Sequence, residues 1–452
     1  MSPESLLVRR GWMFLAPALG ILVLVLAVAT RYLHHSISGP AFLIAWWFGN
    51  TTLLFFILTF LKAGRVRHQP MVTGRIVAIV PAYEQTSEDL AACVWSILDQ
   101  RGIAVDEVHV VDDGSVRHPV EPFAHPQVRW HRTKNAGGHA AAGYVLDRLQ
   151  PEDWDFVLVV DAGCVLEEHS VSRQLRAFSQ PRVMATVGKM IARGSRPKLL
   201  TRIADLSLGA SAAVPAARRS PARLFKIIAG MPVLYRARVP FAHRRRHLAA
   251  GGNDDSCQLA VFALGEGEVV GVSDALAWSP AATDAGTAYR QRLAWSTSWW
   301  RMIRLASTGA SWRHGGISRL FALTHLFVIP PAVAGSVIAI VTSIWRDGPQ
   351  WPAIILGAAY YLLLRYAAGA LHLIDMPATS RRQKVRTWLL LTPVEAAVNL
   401  VLVLPIRYFA LIALCVRGWR ARPGHRSLPS AVSVTQLGSV YYSGYLPDGN
   451  GS

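Results

Sequence analysis

Cysteine is scarce in this chain: Cys93, Cys164, Cys257 and Cys415 are scattered over 452 residues with no CxxC pair. That spacing excludes a disulfide framework and a cysteine zinc site, and it suits a reducing compartment. Charge is also sparse, at 17% of residues, and acidic groups are the rarer sign, 28 Asp and Glu against 47 Lys and Arg. The resulting +19 would fit a nucleic-acid binder, but no zinc-finger spacing and no aromatic RNP-like run accompanies it, so nucleic acid is not expected as a partner. A basic face beside anionic membrane lipids explains the charge, and a basic site for a diphosphate-bearing substrate is compatible with it. No internal repeat is present. What the sequence has in abundance is apolar residues, 52% of the chain, with a mean hydropathy of +0.28.

Those residues come in blocks. Residues 12–32, 41–61, 320–345, 351–373 and 388–416 are each long enough to cross a hydrocarbon core of about 30 Å. The first block is too long for a signal-peptide core and is followed at once by Arg31 and the second block, so it is expected to stay in place. Arg9 and Arg10 precede the first block, and Lys62, Arg65 and Arg67 follow the second. The positive-inside rule then predicts an integral protein of the plasma or inner membrane, with its central domain facing the cytoplasm. Arg381, Arg382, Lys384 and Arg386 agree with a cytosolic loop after the fourth block. The fifth block contains Pro393 and Pro405, and it is followed by Arg417, Arg420, Arg422 and Arg426, which a full crossing would leave outside. Either that segment is re-entrant or interfacial, or the tail is external. The expected organisation is two N-terminal spans (1–67), a soluble domain (68–287), amphipathic interface helices (288–316), C-terminal spans (317–416) and a disordered tail (417–452).

The polar middle alternates strand and helix. RIVAIVPAY and EVHVVDDGS read as buried parallel strands, VRWHRT as a shorter one, and WDFVLVVDAG as a fourth. Between them, Ser87 is placed to cap a helix through Asp99, and 137–149 is a small-residue helix. Repeated βα units predict an α/β fold with a parallel sheet covered on both faces, whose ligands sit at the carboxyl ends of the strands. Tyr83–Glu84, Asp112–Asp113 and Asp161 all fall at such ends. A local Asx turn would equally account for the aspartate pair taken alone.

PAYEQ, VVDDGS, KNAGGHAAAG, VVDAG, NDD and QRLAW follow one another across roughly residues 75–304. In order and spacing they resemble the family-2 inverting glycosyltransferases, in particular the membrane-embedded branch with the cellulose, chitin and hyaluronan synthases. The resemblance implies a GT-A-like nucleotide-sugar domain inserted between groups of transmembrane helices. It implies a UDP-linked sugar as donor and a glycan or lipid-linked acceptor, with membrane lipids as further partners. Pro81, Tyr83, Glu84, Asp113, Lys134 and Asp161 then match nucleotide-binding positions, and Asn135, Gly137 and Gly138 the loop below the nucleotide. Asp161 matches the first acid of a DxD motif, which shares Mg²⁺ or Mn²⁺ with the diphosphate, but Gly163 stands in place of the second acid.

The segment GGNDDSCQLAVFALGEG matches the one that carries the catalytic base. Asp254 and Asp255 are adjacent candidates. The family's base lies eleven residues before the glycine that ends the next helix, here Gly265, which selects Asp254. Asp254 and Asp255 would also simply favour a helix start. QRLAW matches the acceptor-side QxxRW motif with Ala294 in place of its arginine, so Gln291, Arg292 and Trp295 are the acceptor-binding candidates. Arg292 lies about 200° from Ala294 around a helix and does not simply replace it. Trp299, Trp300, Arg301 and Arg304 suggest an amphipathic helix at a membrane surface. In the last apolar block, Glu395 and Asn399 lie one turn apart, either lining a path or pairing with Arg407.

Overall fold

The computed structural model describes residues 69–134, 137–193, 202–207, 232–249, 256–280, 284–307, 322–348, 351–374 and 381–417. The two N-terminal apolar blocks, Asn135, Asp254, Asp255 and the C-terminal tail lie outside the described residues.

The described residues form one eight-stranded sheet. Its strands are β1 (Ile76–Ala82), β2 (Glu107–Asp112), β3 (Val128–Arg132), β4 (Phe156–Val159), β5 (Val165–Leu166), β6 (Val183–Arg193), β7 (Val233–Arg236) and β8 (Glu268–Pro280). They lie in the order β3-β2-β1-β4-β7-β6-β8-β5. The first half is parallel, as the βα repeats predict: β1 pairs with β2 and β4, and β2 with β3. The second half departs from a purely parallel sheet, because β7 runs antiparallel to both β4 and β6. No βα repeat is legible in that half of the sequence, in keeping with a change of strand direction.

Alternation along β1 shows how the sheet is covered. Ile76, Ala78 and Val80 join the core beneath α1 (Ser87–Leu98), with Leu90, Val94 and Ile97. Val77 and Ile79 face the opposite layer, with Ala141, Ala142 and Val145 of α2 (Gly138–Leu146). Period-two burial of this kind places one helix on each face. The cap of α1 is Thr86, one residue before the predicted Ser87: its hydroxyl accepts from Asp89 N at 3.2 Å and donates to the Asp89 carboxylate at 2.9 Å. Further along the chain come α3 (Ser170–Ala177), α4 (Arg238–Ala249), α5 (Ser256–Glu266) and α6 (Ala285–Ser307). α5 is buried all round, from Leu259 to Leu264.

The C-terminal helices are α7 (Ile329–Asp347), α8 (Trp351–Ile374), α9 (Arg381–Val398) and α10 (Leu404–Arg417). A wide turn at Asn399–Val403 joins the last two, with Leu404 N donating to Asn399 O. Among the described residues, 382–416 form one helix long and apolar enough to cross a membrane, with mean hydropathy 2.1. Pro393 and Pro405 therefore do not break the last block. The five-residue turn just before Pro405 supplies the room its ring needs against the preceding carbonyls. The same device recurs at Thr324–Val328, ahead of Pro330 and Pro331. Lys189 of β6 ties the sheet to α8 by donating to His372 O at 3.1 Å.

Candidate functional site

The strand order reverses between β1 and β4, and the acidic residues read from the sequence gather at the carboxyl edge around that point. Asp112 ends β2, Asp113 follows it, Tyr83 and Glu84 follow β1, and Asp161 lies just beyond β4. The edge is cross-braced: Asp113 N donates to Ala82 O at 2.8 Å, and Val160 N to Ile79 O at 3.1 Å.

Glu84 has φ +50°, a left-handed conformation unusual for a residue with a side chain. That turn drives its carboxylate under the loop after β2. There it accepts N–H groups from Val116 (3.0 Å), Arg117 (3.0 and 3.2 Å) and His118 (3.1 Å). Its own N–H donates to Ser115 Oγ at 2.9 Å, and Ser115 N donates to Asp112 Oδ1 at 2.8 Å. Burial raises the Glu84 pKa, but the backbone donors of Val116, Arg117 and His118, with the Arg117 charge, outweigh it and leave the group below its ordinary value. Glu84 thus holds a loop, with both oxygens already in use. Direct recognition of a base by this carboxylate would compete with those bonds.

Asp113 is buried and has a second structural attachment. Its Oδ2 accepts from Gly137 N at 2.7 Å and its Oδ1 from Thr133 Oγ1 at 3.2 Å. Gly137, at φ +99°, is the cap of α2, so a carboxylate is fixed at the start of that helix. Gly138 packs against Pro81, where an added Cβ would lie 3.5 Å from the proline ring. Arg132 spans the β2 and β3 ends, pairing with Asp112 at 3.2 Å and donating to Ser115 O at 2.9 Å. Ser115, Thr133 and Arg132 were not singled out from the sequence; their signal is position immediately beside the acidic motifs. Lys134 and Asp161 are exposed at the same edge, and Tyr83 is half-buried.

Asp161 opens a tight turn in which Cys164 N donates to Asp161 O at 2.9 Å. Gly163 lies in that turn with space at its α-carbon: a Cβ there would meet Gln85 Nε2 and Pro280 no closer than 3.5 Å. Among the described residues no group of three His, Cys, Asp or Glu side chains gathers as a metal site. A hard cation held by one carboxylate fits this edge only if the substrate diphosphate supplies most of the other oxygens, which is how Mg²⁺ usually binds.

The acceptor candidates all lie on α6. The Arg292 guanidinium sits 5.4 Å from the Trp295 ring centre. Trp295 packs against the core layer that includes α5. Trp300 is 2% exposed and donates Nε1–H to Arg407 O at 2.7 Å, anchoring α6 to α10. Glu395 likewise pairs with Arg365, not Arg407, through two hydrogen bonds, one of 2.9 Å. Arg365 is the lone cationic residue in its apolar block, a signal the sequence did carry.

The glycosyl transferase family 2 model matches residues 77–225. The hyaluronan synthase of Streptococcus pyogenes is 25% identical over 245 residues, 50% of this chain and 57% of its own length. The chain therefore spans little more than half the length of that relative. An N-acetylglucosaminyltransferase of Azorhizobium caulinodans is 24% identical over 371 residues, covering 78% of this chain and 88% of the relative. Among solved structures, a mannosyltransferase of Pyrobaculum calidifontis, in complex with GDP-Man and Mn²⁺, aligns with TM-score 0.48 at 15% identity, over 79% of this chain and 97% of that one. The acidic strand ends lie within the matched stretch, so residues 77–225 carry a glycosyl transferase family 2 domain.

Proposed function

We propose that the chain is a membrane-bound inverting glycosyltransferase that moves a sugar from a UDP-linked donor to a glycan acceptor. The observation that carries this reading is the convergence of Glu84, Asp113 and Asp161 at one strand edge, at the point where strand order reverses. Asp113, at the α2 start, would accept from ribose hydroxyls, and Glu84 would shape the base site through the 116–118 loop. Asp161 would share Mg²⁺ or Mn²⁺ with the diphosphate, easing departure of the nucleotide by neutralising its charge. Asp254, just ahead of α5, is the proposed general base that deprotonates the acceptor hydroxyl, and Asp255 is its neighbouring alternative. Gln291, Arg292 and Trp295 would face the acceptor, Trp295 by stacking on a sugar ring.

The names of the relatives favour an N-acetylglucosamine or polymer-building activity. Gly163 and Ala294, each replacing a charged residue of the processive pattern, favour a second reading: one transfer to a lipid-linked acceptor. The helix 382–416 supports placement in a membrane by length and hydropathy. Transfer of radiolabelled sugar from a panel of nucleotide sugars, with and without Mg²⁺ or Mn²⁺, tests the proposal. Turnover that disappears in Asp254→Asn supports it, and product length separates polymer from single addition. Binding without turnover across the panel would instead make the chain a nucleotide-binding scaffold.

A further inference from the structure

β3 is the outermost strand of the sheet, with β2 as its strand neighbour. Between them lies a histidine pair that the acidic edge does not use. His109 Nδ1 and His131 Nε2 are 2.9 Å apart, and the two ring planes are within 3° of parallel. His109 is 7% exposed, and its Nε2 faces Glu107 Oε2 at 3.4 Å. Glu107 in turn pairs with Arg129 of β3 at 3.0 Å. From the helix layer, Tyr144 of α2 packs against the His131 ring with centres 5.6 Å apart, and Arg148 lies 3.4 Å over that tyrosine.

Two imidazoles that share a hydrogen bond hold one proton between their facing nitrogens. Glu107 favours a proton on His109 Nε2, so His109 Nδ1 accepts and His131 Nε2–H donates. One added proton, on His131 Nδ1, leaves that bond in place. A second must go to His109 Nδ1 and sets N–H against N–H. No acceptor is left, and two cations then face each other beside Arg129 and Arg148. Burial is the largest cause holding both rings below the ordinary imidazole value. The His109 and Arg148 charges add to it at His131, and Glu107 offsets part of it at His109. The neutral pair therefore stabilises the fold above the unfolded-state value of about 6.5, and that contribution is lost as pH falls through the lower folded values.

The end of β3 links this pair to the acidic edge. Arg132 follows His131 and pairs with Asp112 at 3.2 Å. Thr133 comes next: its N–H donates to Asp112 O at 2.8 Å, and its Oγ1 donates to Asp113 Oδ1 at 3.2 Å. α2, which carries Tyr144, begins at the Gly137 N–H held by Asp113. We propose that the His109–His131 pair is a proton-operated clasp: a second proton frees the end of β3 and, with it, the contacts that set Asp113. The clasp is independent of the transferase reading, and its effect on nucleotide rests on that reading.

The test is amide hydrogen exchange of the full chain in maltoside micelles at about pH 7.5 and about pH 5.5, either side of the ordinary imidazole value. Rates are corrected for the intrinsic pH dependence of exchange, with β1 as internal reference. Exchange across residues 128–133 should rise about tenfold relative to β1 at the lower pH, the loss of one part-buried hydrogen bond with charge repulsion added. His131→Gln supplies an amide donor in place of Nε2–H and takes up no proton, so its β3 should stay protected at both pH values. His131→Ala should exchange fast at both. An unchanged wild-type β3, or an equal rise in His131→Gln, overturns the clasp. If Gln at 131 leaves β3 unprotected even at the higher pH, His109→Asn, whose carbonyl replaces the Nδ1 acceptor, carries the same comparison. UDP affinity should fall together with β3 protection in wild type and hold in His131→Gln. No UDP binding at either pH would overturn the nucleotide reading, while the exchange result still decides the clasp.

Discussion

Replacing Glu84 by Gln tests whether the first acidic motif holds a loop or stands open to ligand. The substitution keeps size and shape but turns one acceptor oxygen into an NH₂ donor, which then faces backbone N–H groups among Val116, Arg117 and His118. Hydrogen bonds to a charged group contribute about 1.5–3 kcal/mol. Solvent at the cleft rim screens part of this, so the expected cost is about 1–2 kcal/mol. For a domain of this size that lowers the melting temperature by about 2–4 °C per kcal/mol. The pH dependence gives a second signature. Glu84 is depressed by its backbone donors, so its stabilisation is present above the unfolded-state value of about 4.3 and is lost as pH falls through the lower folded value. Thermal melts of both proteins should therefore separate at pH 7 and converge in acid. Equal melting at pH 7, or a gap that persists undiminished in acid, would refute the loop-holding role.

Other outcomes follow from the same geometry. Gly163→Asp should fold, because the added Cβ meets nothing closer than 3.5 Å, and should raise Mn²⁺ affinity in a nucleotide titration by adding a second carboxylate. Trp300→Ala should cost about 3–5 kcal/mol, read in denaturant melts, because it empties a buried site and strands the Arg407 carbonyl. Glu395→Gln should destabilise more than the Glu395→Gln, Arg365→Gln pair, because the single change leaves Arg365 buried beside a neutral partner. Cys93 and Cys164 should resist iodoacetamide at pH 8 until the chain is denatured, since burial raises both thiols and withholds the thiolate.

The parallel half of the sheet was legible because β1, β2 and β4 are short β-branched runs, each ending at a turn or an acid. The reversal at β7 was not, since VLYR carries no mark of its direction and its neighbour β6 is set by distant pairing. Acidic residues at strand ends could be placed because strand ends themselves are readable. The use Glu84 makes of its oxygens could not, because it depends on a backbone turn at φ +50°. The prolines of the last apolar block suggested a break. A wide turn is a local backbone adjustment with no side-chain signature, and it lets the helix continue through Pro405. Glu395 was visible as the lone acid of its apolar block and Arg365 stands as the lone arginine of its own, but their pairing required knowing which helices adjoin.

The most direct measurement is a structure of the full chain with UDP and Mn²⁺. The nucleotide should lie across the carboxyl ends of β1, β2 and β4, with Asp113 within hydrogen-bonding distance of the ribose and Asp161 at the metal. Nucleotide bound elsewhere, with Asp113 still engaged by Gly137 and Thr133 and Asp161 away from any metal, would contradict the account.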